Sequence, residues 1–556
     1  MPDWLTARRA VWALVVAMTI AFALVVGYHA LQRHWDFQSD AFDLGNMDQA
    51  VWNTLHGHPF RFTNRGNDDF GLPTRLSIHV EPIILLLAPL YLIHSGPETL
   101  IVVQILALAL GALPLVALSL RRMPRFPCVG VGLVAAYMLS PFTIGLTLWE
   151  FHPVSLAAPL LLFALWALDT RHYRWFLAAI ILAMATKEDI GLAVAVITLL
   201  LALVRPEKRR FGALVALGAL VWVAICFKII LPHFNVGVAG GNNYWYRYSW
   251  LGATPAEALI QALTHPLDVW NYLFSPGRTG YLLLILRTGG ALWLLAPALM
   301  LAAAPDLVVN LLSSHSEQYS GFFQYNAVIV ACALIAAVYG TAGLARARLR
   351  AQRDPDPRRL ATARAETGAA IWAVREGGWR AAPAGVERAI GQARALWSAL
   401  LERIPIPVRW LQPVLLVWLL AMSLSNLTAV GRVQSFWDAG DAPNASESAR
   451  MVAMNQLLAR IPTDASVCAT DTIDPHVSDR YDLYLAPDIL CYQAQYVAMD
   501  VISAVHDVEV PDALMLYQMR HSDHYTLVGE THGLVVLRRV GAPLTPLPGL
   551  SGLSQG

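Results

Sequence analysis

Apolar residues run along this chain in long blocks separated by short polar ones, and the lengths of the blocks carry the first information. A helix needs about 17–25 predominantly apolar residues to cross the hydrocarbon of a bilayer. Blocks of that kind recur from residue 11 to residue 429 and predict spans near 11–31, 99–120, 128–148, 154–169, 211–231, 283–304, 325–345 and 411–429. Segment 82–94 is too short to cross and predicts a helix lying in, or dipping into, the outer interface. The apolar run 175–204 has basic clusters at both ends and is interrupted by Lys187-Glu188-Asp189. Two short, tilted helices meeting at a charged outer tip satisfy both features. Segment 305–313 reads as a short return, and the sum is about eleven crossings. No internal repeat suggests the inverted halves of many transporters.

The polar segments complete the organisation. An outer loop at 32–98 contains an amphipathic stretch at 43–56, and a second outer loop at 232–280 is rich in aromatic residues. Short β-like runs beside helix-like ones at 431–556 predict a small α/β fold. The expected architecture is a mostly α, polytopic membrane helix bundle with a small C-terminal extracytoplasmic α/β domain. Its parts are a transmembrane core at 1–345, an Arg-rich cytoplasmic insert at 346–410, a last transmembrane helix at 411–430 and the outer domain at 431–556.

Composition agrees. Of the 556 residues 56% are hydrophobic and only 14% charged, where a soluble protein carries roughly 25% charged residues. Arginine sets the orientation, because basic residues collect on the cytoplasmic side. Arg8 and Arg9 precede the first span and predict a cytoplasmic N-terminus. Segment 346–409 holds 13 Arg, no Lys and 6 acids, a net charge of +7, whereas 431–556 holds 7 Arg against 15 acids, a net charge of −8. The Arg-rich insert reads as a surface-lying element on anionic lipid. No small-residue cleavage site follows the first apolar run, so it reads as a retained helix. Cys128, Cys226 and Cys332 sit in apolar runs. Cys468 and Cys491 fall in the outer domain, where a disulfide is permitted but two buried thiols fit equally.

Candidate chemistry gathers on the outer side. Asp36, Asp40, Asp43 and Asp48 crowd the start of the first outer loop. A solvated acidic loop with helix caps accounts for them. So does a carboxylate base held at the bilayer rim, and Leu44-Gly45 after Asp43 would leave room for a ligand near the backbone. Asp43 and Asp48 are therefore the candidate catalytic residues. Lys187 is one of only three lysines. Burying Lys-Glu-Asp amid Leu and Ala costs several kcal/mol unless the charges pair or face water. It is either a loop tip or a cation for a phosphate, with Glu188 beside it. His79, Glu81, His152, Tyr244, Arg247 and Tyr319 complete the candidate substrate-binding set, although each alone also fits an interfacial anchor or a helix cap. Two His and two Glu could hold a divalent metal, but no HExxH or CxxC spacing is present, and no cofactor is expected. Walker A and Rossmann fingerprints are absent, and no nucleic-acid partner is expected.

Asp43-Leu44-Gly45 with Asp48-Gln49 and Trp52, His79 with Pro82, Phe151-His152-Pro153, Lys187-Glu188-Asp189, Gln318-Tyr319-Ser320 and Pro475-His476-Val477-Ser478-Asp479-Arg480 resemble a family of uncharacterised prokaryotic multi-spanning proteins. The family is known only as a domain of unknown function. More distantly, the layout is similar to the GT-C glycosyltransferases, integral enzymes that take sugars from polyprenyl-phosphate carriers. That resemblance implies an inverting transfer at the outer face of a prokaryotic cell membrane. An acid of the first outer loop would act as base, and by position this is Asp43. Lys187 and Arg247 would hold the carrier phosphate, and Tyr244, Trp245 and Tyr246 would close over the sugar. Partners would be a polyprenyl-phosphate sugar, membrane lipid and an acceptor that the sequence does not identify. The superfamily's paired acids often read Asp-Glu or Asp-X-Asp, whereas Leu44 follows Asp43 here, which argues against direct metal binding. Two alternatives remain open: a transporter or flippase of a lipid-linked or amphiphilic solute, and a non-catalytic envelope assembly protein.

Overall fold

The structure, a computed structural model, describes residues 3–65, 71–236, 244–377, 382–438, 440–501 and 510–545. Among these residues five helices are long and apolar enough to cross a membrane: Thr6–Trp35, Pro97–Arg122, Pro206–Phe234, Gln324–Arg353 and Val408–Leu427. The pair Pro127–Met138 and Pro141–Leu148 makes a sixth candidate, bent by 49°. The bend has a local cause, because Ser140 is extended ahead of Pro141, whose ring and missing N–H stop the preceding helix from continuing. The helix Gln324–Arg353 lies at the centre. Its run of small residues lets neighbours approach its backbone, and at Gly340 a methyl group would meet the carbonyl oxygen of Leu292 at 2.5 Å.

Shorter apolar helices fill the rest. Tyr173–Met184 and Ile190–Val204 have 12 and 15 residues and meet around Lys187-Glu188-Asp189, the pairing read from the interrupted run. At 1.5 Å per residue each falls short of the roughly 30 Å hydrocarbon layer. Segment 82–94 forms two short helical turns, Ile84–Leu87 and Ala88–Leu92. Ile84, Leu87 and Tyr91 are buried, while Leu85, Leu86, Leu92 and Ile93 face outward.

The expected span at 283–304 is broken instead. The helix Pro276–Arg287 ends in three left-handed residues, Gly289, Gly290 and Ala291, with φ near 60°. Two of the three are glycines, which take this conformation without a Cβ penalty. Close packing supplies the reason, since the Trp418 indole donates to the Gly290 carbonyl at 2.7 Å. A Cβ on Gly290 would meet Trp418 and Leu419 at 3.1–3.2 Å.

The Arg-rich segment folds as two helices, Arg359–Gly377 and Ala382–Leu401, packed on each other, with the second set against Gln324–Arg353. Arg359 pairs with Glu402 at 2.8 Å and with Asp354 at 2.7 Å.

The C-terminal region carries a five-stranded sheet: β1 (Val467–Ala469), β2 (Leu483–Leu485), β3 (Tyr496–Asp500), β4 (Tyr525–Thr531) and β5 (Leu534–Arg539). Their order is β2-β1-β3-β5-β4, with β1 parallel to both β2 and β3 and the β3–β5 and β5–β4 pairs antiparallel. The two-residue period of a strand sorts its side chains between two layers. Val467, Ala469, Leu483, Ala498, Leu534 and Val536 pack with Met454 and Leu457 of the helix Ala445–Leu458. Cys468, Val497, Met499, Val535 and Leu537 pack with Met515 and Met519 of the helix Val510–Arg520. Cys468 and Cys491 are joined by a disulfide in that second layer.

Candidate active site

The Asp43 carboxylate stands on a wide helical turn, Ala41–Gly45, which runs into the amphipathic helix Asn46–Leu55. Asp40 starts the turn in the extended conformation and caps it, accepting from the Asp43 N–H at 3.2 Å. An Asp at this position satisfies a backbone donor that no helical carbonyl reaches. Other carboxylates take further donors of the turn. Glu150 accepts from the Asp40 N–H at 2.8 Å and the Leu44 N–H at 2.9 Å, and Asp471 from the Ala41 N–H at 2.8 Å.

Both oxygens of Asp43 are engaged. Oδ2 accepts from the Trp149 indole at 3.0 Å, and Oδ1 lies 3.0 Å from His152 Nε2. His152 Nδ1 points at the Glu150 carbonyl at 3.1 Å. A carbonyl only accepts, so Nδ1 carries a proton, and an ionised Asp43 then requires a second proton on Nε2. The pair is an aspartate beside an imidazolium. Burial opposes the charge on Asp43, but the His152 cation, its hydrogen bond, the Trp149 bond and Arg75 outweigh burial and hold the carboxyl below its usual range. Burial likewise lowers His152, and Asp43 more than offsets it, so the imidazole is raised. The neighbouring acids go the other way. Burial first, then repulsion from Asp43 and from other acids, raises Asp40 and Glu150 well above normal. Of these three carboxyls, Asp43 is the one held below its usual range, and it is 27% exposed.

A second group of side chains surrounds this dyad. Arg75 pairs with Glu81 at 3.0 Å and donates to Asn46 at 3.0 Å. His79 bonds Glu188 at 2.9 Å, and the other Glu188 oxygen accepts from the Val80 N–H at 2.9 Å. The charged tip at Lys187-Glu188-Asp189 is thereby tied to the loop after the first helix. The Tyr244 ring stacks on His79, with centroids 5.5 Å apart, and the Arg247 guanidinium sits 4.5 Å above Tyr244. Arg247 also reaches the Tyr325 hydroxyl at 3.4 Å. Lys187 Nζ bonds Asp189 at 2.9 Å and keeps a fifth of its side chain exposed. Asp43 acts electrostatically on both Tyr244 and Tyr325, and Lys187 acts on Tyr325 and Tyr248.

Eight of the ten candidates, Asp43, His79, Glu81, His152, Lys187, Glu188, Tyr244 and Arg247, thus fall into one neighbourhood. The other two stand elsewhere. Asp48 is fully buried, bonded by the Tyr91 hydroxyl and by Ser478 Oγ at 2.6 Å, where it joins the loop after the first helix to the C-terminal domain. Tyr319 lies under the Arg278 guanidinium at 4.2 Å, beside Tyr272. Gly45 also has a different cause from the one expected: a methyl group there would run into the Asp474 carboxylate, so the residue accommodates a protein contact, not a ligand. Arg75, Trp149 and Tyr325 belong to the site, but their roles were not read from the sequence. An Arg six residues ahead of Glu81 in an acid-rich loop was the available signal for the first. The cluster at Asp474-Pro475-His476-Val477-Ser478-Asp479 packs against the same loop. Asp474 accepts from Asn64 at 2.7 Å, and His476 stacks between His34 and Phe37 with centroids 4.4 and 3.9 Å away. Among the described residues no three His, Cys, Asp or Glu side chains converge to hold a metal ion.

The chain belongs to the family described as predicted membrane protein (DUF2079), whose model matches residues 33–363. That span includes every candidate from Asp43 to Tyr325 and stops before the C-terminal domain. None of the curated proteins compared with the chain matches it. Among solved structures the chain is similar to ArnT from Cupriavidus metallidurans bound to undecaprenyl phosphate, at 15% identity, and to the same protein in the apo state, at 16%. Each alignment covers 96% of this chain and 99% of ArnT with a TM-score of 0.46.

Proposed function

We propose that this membrane protein is an inverting glycosyltransferase that takes a sugar from a polyprenyl-phosphate carrier at the outer face of the membrane. The observation that carries the reading is the Asp43–His152 pair. His152 and Trp149 hold the Asp43 carboxyl below its usual range, whereas burial raises Asp40 and Glu150, and Asp43 is partly open to a reactant. A base must hold a free lone pair within reach of the proton it takes. An acceptor hydroxyl would give its proton to Asp43 while its oxygen bonds to the anomeric carbon. The carbon–oxygen bond to the carrier would break on the opposite face, and the lipid phosphate would depart with the electron pair. Lys187 and Arg247 supply positive charge for that phosphate, and the Tyr244 and Tyr246 rings can pack on the sugar. The disulfide of the C-terminal domain suits an oxidising, extracytoplasmic compartment.

The test uses purified protein in lipid with a panel of polyprenyl-phosphate sugars. Asp43→Asn should bind the donor as the wild type does and transfer nothing measurable, while Lys187→Ala should weaken donor binding. Full transfer by Asp43→Asn overturns the mechanism, and no binding across a broad panel overturns the substrate class.

A further inference from the structure

The C-terminal domain reaches the turn that presents Asp43, and it does so through a backbone contact that a mere cover would not need. The first N–H groups of the turn Ala41–Gly45 have no preceding helical carbonyl to bond, and carboxylates from three separate parts of the chain accept from them. Asp40 is local and Glu150 comes from the segment between two bundle helices. Asp471 comes from the loop after β1, 430 residues away, and accepts from the Ala41 N–H at 2.8 Å. Three residues on, the Asp474 carboxylate occupies the space where any side chain at position 45 would stand. Asp474 is itself fully buried and held by Asn64 at 2.7 Å.

Contacts around this point set the domain in a single pose. Ser478 bonds Asp48 at 2.6 Å, and Gln49 donates to the carbonyls of Arg480 and Tyr481 at 3.2 and 3.1 Å. Thr63 donates to the Leu483 carbonyl at 2.7 Å and accepts from the Leu483 N–H at 2.9 Å. Arg61 pairs with Asp482 at 2.6 Å. Residues 471–483 therefore form one wall of the first outer loop from Ala41 to Asn64. The Asp43 turn is pinned on one side by the bundle through Glu150 and on the other by the domain through Asp471.

We propose that the C-terminal domain is part of the catalytic unit, with Asp471 as the positioning residue that fixes the turn bearing Asp43. The inference rests on the reading of Asp43 as the base. Asp471 touches no reactant. It acts through the Ala41 N–H on where the Asp43 carboxylate points. Displacing a reacting group by about 1 Å costs up to about 100-fold in rate, so a free Ala41 N–H should lower turnover, while Lys187 and Arg247, held by their own contacts, keep the carrier phosphate.

The experiment compares full-length Asp471→Ala and Asp471→Asn with wild type in two readouts. Hydrogen exchange of the peptide covering residues 40–44 reports the turn without requiring any reaction. Steady-state transfer reports kcat and donor KM separately. Asp471→Ala should speed exchange in that peptide, leave the peptides over β3 and β5 unchanged, and lower kcat about 10- to 100-fold with donor KM within about 2-fold. Asn keeps an acceptor oxygen and should restore both signals. Arg520→Gln breaks an exposed ion pair with Glu530 elsewhere in the domain and should change neither. Unchanged exchange at 40–44, or unchanged kcat with faster exchange, overturns the proposal. Faster exchange in a protein whose wild type transfers no sugar leaves the turn's anchoring intact and sinks the glycosyltransferase reading instead. If Asp471→Ala does not fold, the Asn variant with Gly45→Ala decides, because a methyl at 45 should push the wall away and reproduce the exchange and kcat changes.

Discussion

Replacing His152 with Gln isolates the charge on which the proposed base depends. A Gln amide can still donate to Asp43, so the hydrogen bond is kept while the cation is lost. At the 3.0 Å separation, Coulomb's law with an effective dielectric of about 20 gives roughly 5 kcal/mol between unit charges. The side chains are 27% and 13% exposed, and solvent screening reduces this to about 1.5–3 kcal/mol. At 1.36 kcal/mol per pKa unit, Asp43 should rise by about 1–2 units. Its buried acidic neighbours, Asp40 and Glu150, add no compensating positive charge. The assay is the pH dependence of kcat/KM for sugar transfer. Because the base must be ionised, the acid limb should move to higher pH in His152→Gln by that amount. An acid limb that stays in place or moves to lower pH refutes the pairing as the source of Asp43's low pKa.

The same pair makes a signed statement about stability. Asp43 is depressed, so its contribution is present above the unfolded carboxyl value of about 3.9 and is lost as pH falls through its folded value. His152 is raised, so its contribution is present below about 6.5 and is lost as pH rises through its folded value. Wild type should therefore gain most over His152→Gln between about pH 4 and 6.5, as read from thermal unfolding across pH.

Asp48→Ala should lower stability by about 2–4 kcal/mol, since it strands the Tyr91 and Ser478 hydroxyls in a closed contact. The folded fraction should lose far less kcat than Asp43→Asn, and a loss of kcat matching that of Asp43→Asn would return Asp48 to the chemistry. Gly45→Ala should cost about 1–3 kcal/mol through overpacking against Asp474, visible as faster proteolysis of the chain between the last bundle helix and the sheet. Cys468→Ser should destabilise the C-terminal domain by about 3 kcal/mol, given a bridge across 23 residues. Unchanged unfolding of that domain would show that the bridge is not formed.

Much of the site was legible because its residues are costly where they stand. Lys187-Glu188-Asp189 interrupts an apolar run, and that anomaly located a helix junction which the structure reproduces. His152 was visible as a polar residue in Trp149-Glu150-Phe151-His152-Pro153, but its pairing with Asp43 was not, because 109 positions separate the two. Asp48 and Asp43 look alike in sequence, being acids five residues apart in the loop after the first span. A helical turn leaves one partly exposed beside His152 and sends the other into the buried contact with Ser478, and local pattern carries no signal for that choice. The break at Gly289-Gly290-Ala291 escaped the hydropathy pattern because an apolar run reads the same whether it is helical or turned back on itself.

By itself the sequence determined that this is a polytopic, mostly helical membrane protein with polar chemistry collected in the loop after the first span. Those are consequences of one-dimensional physics, namely the length of chain that spans hydrocarbon and the cost of burying charge. Only the tertiary structure decided which acid meets a histidine and an indole, and that residues 471–483 form a wall of the same loop. Ionisation depends on the sum of burial, opposite charge and hydrogen bonds from segments far apart in sequence. That sum exists only once the chain has brought Asp43, Trp149, His152 and Asp471 to one place.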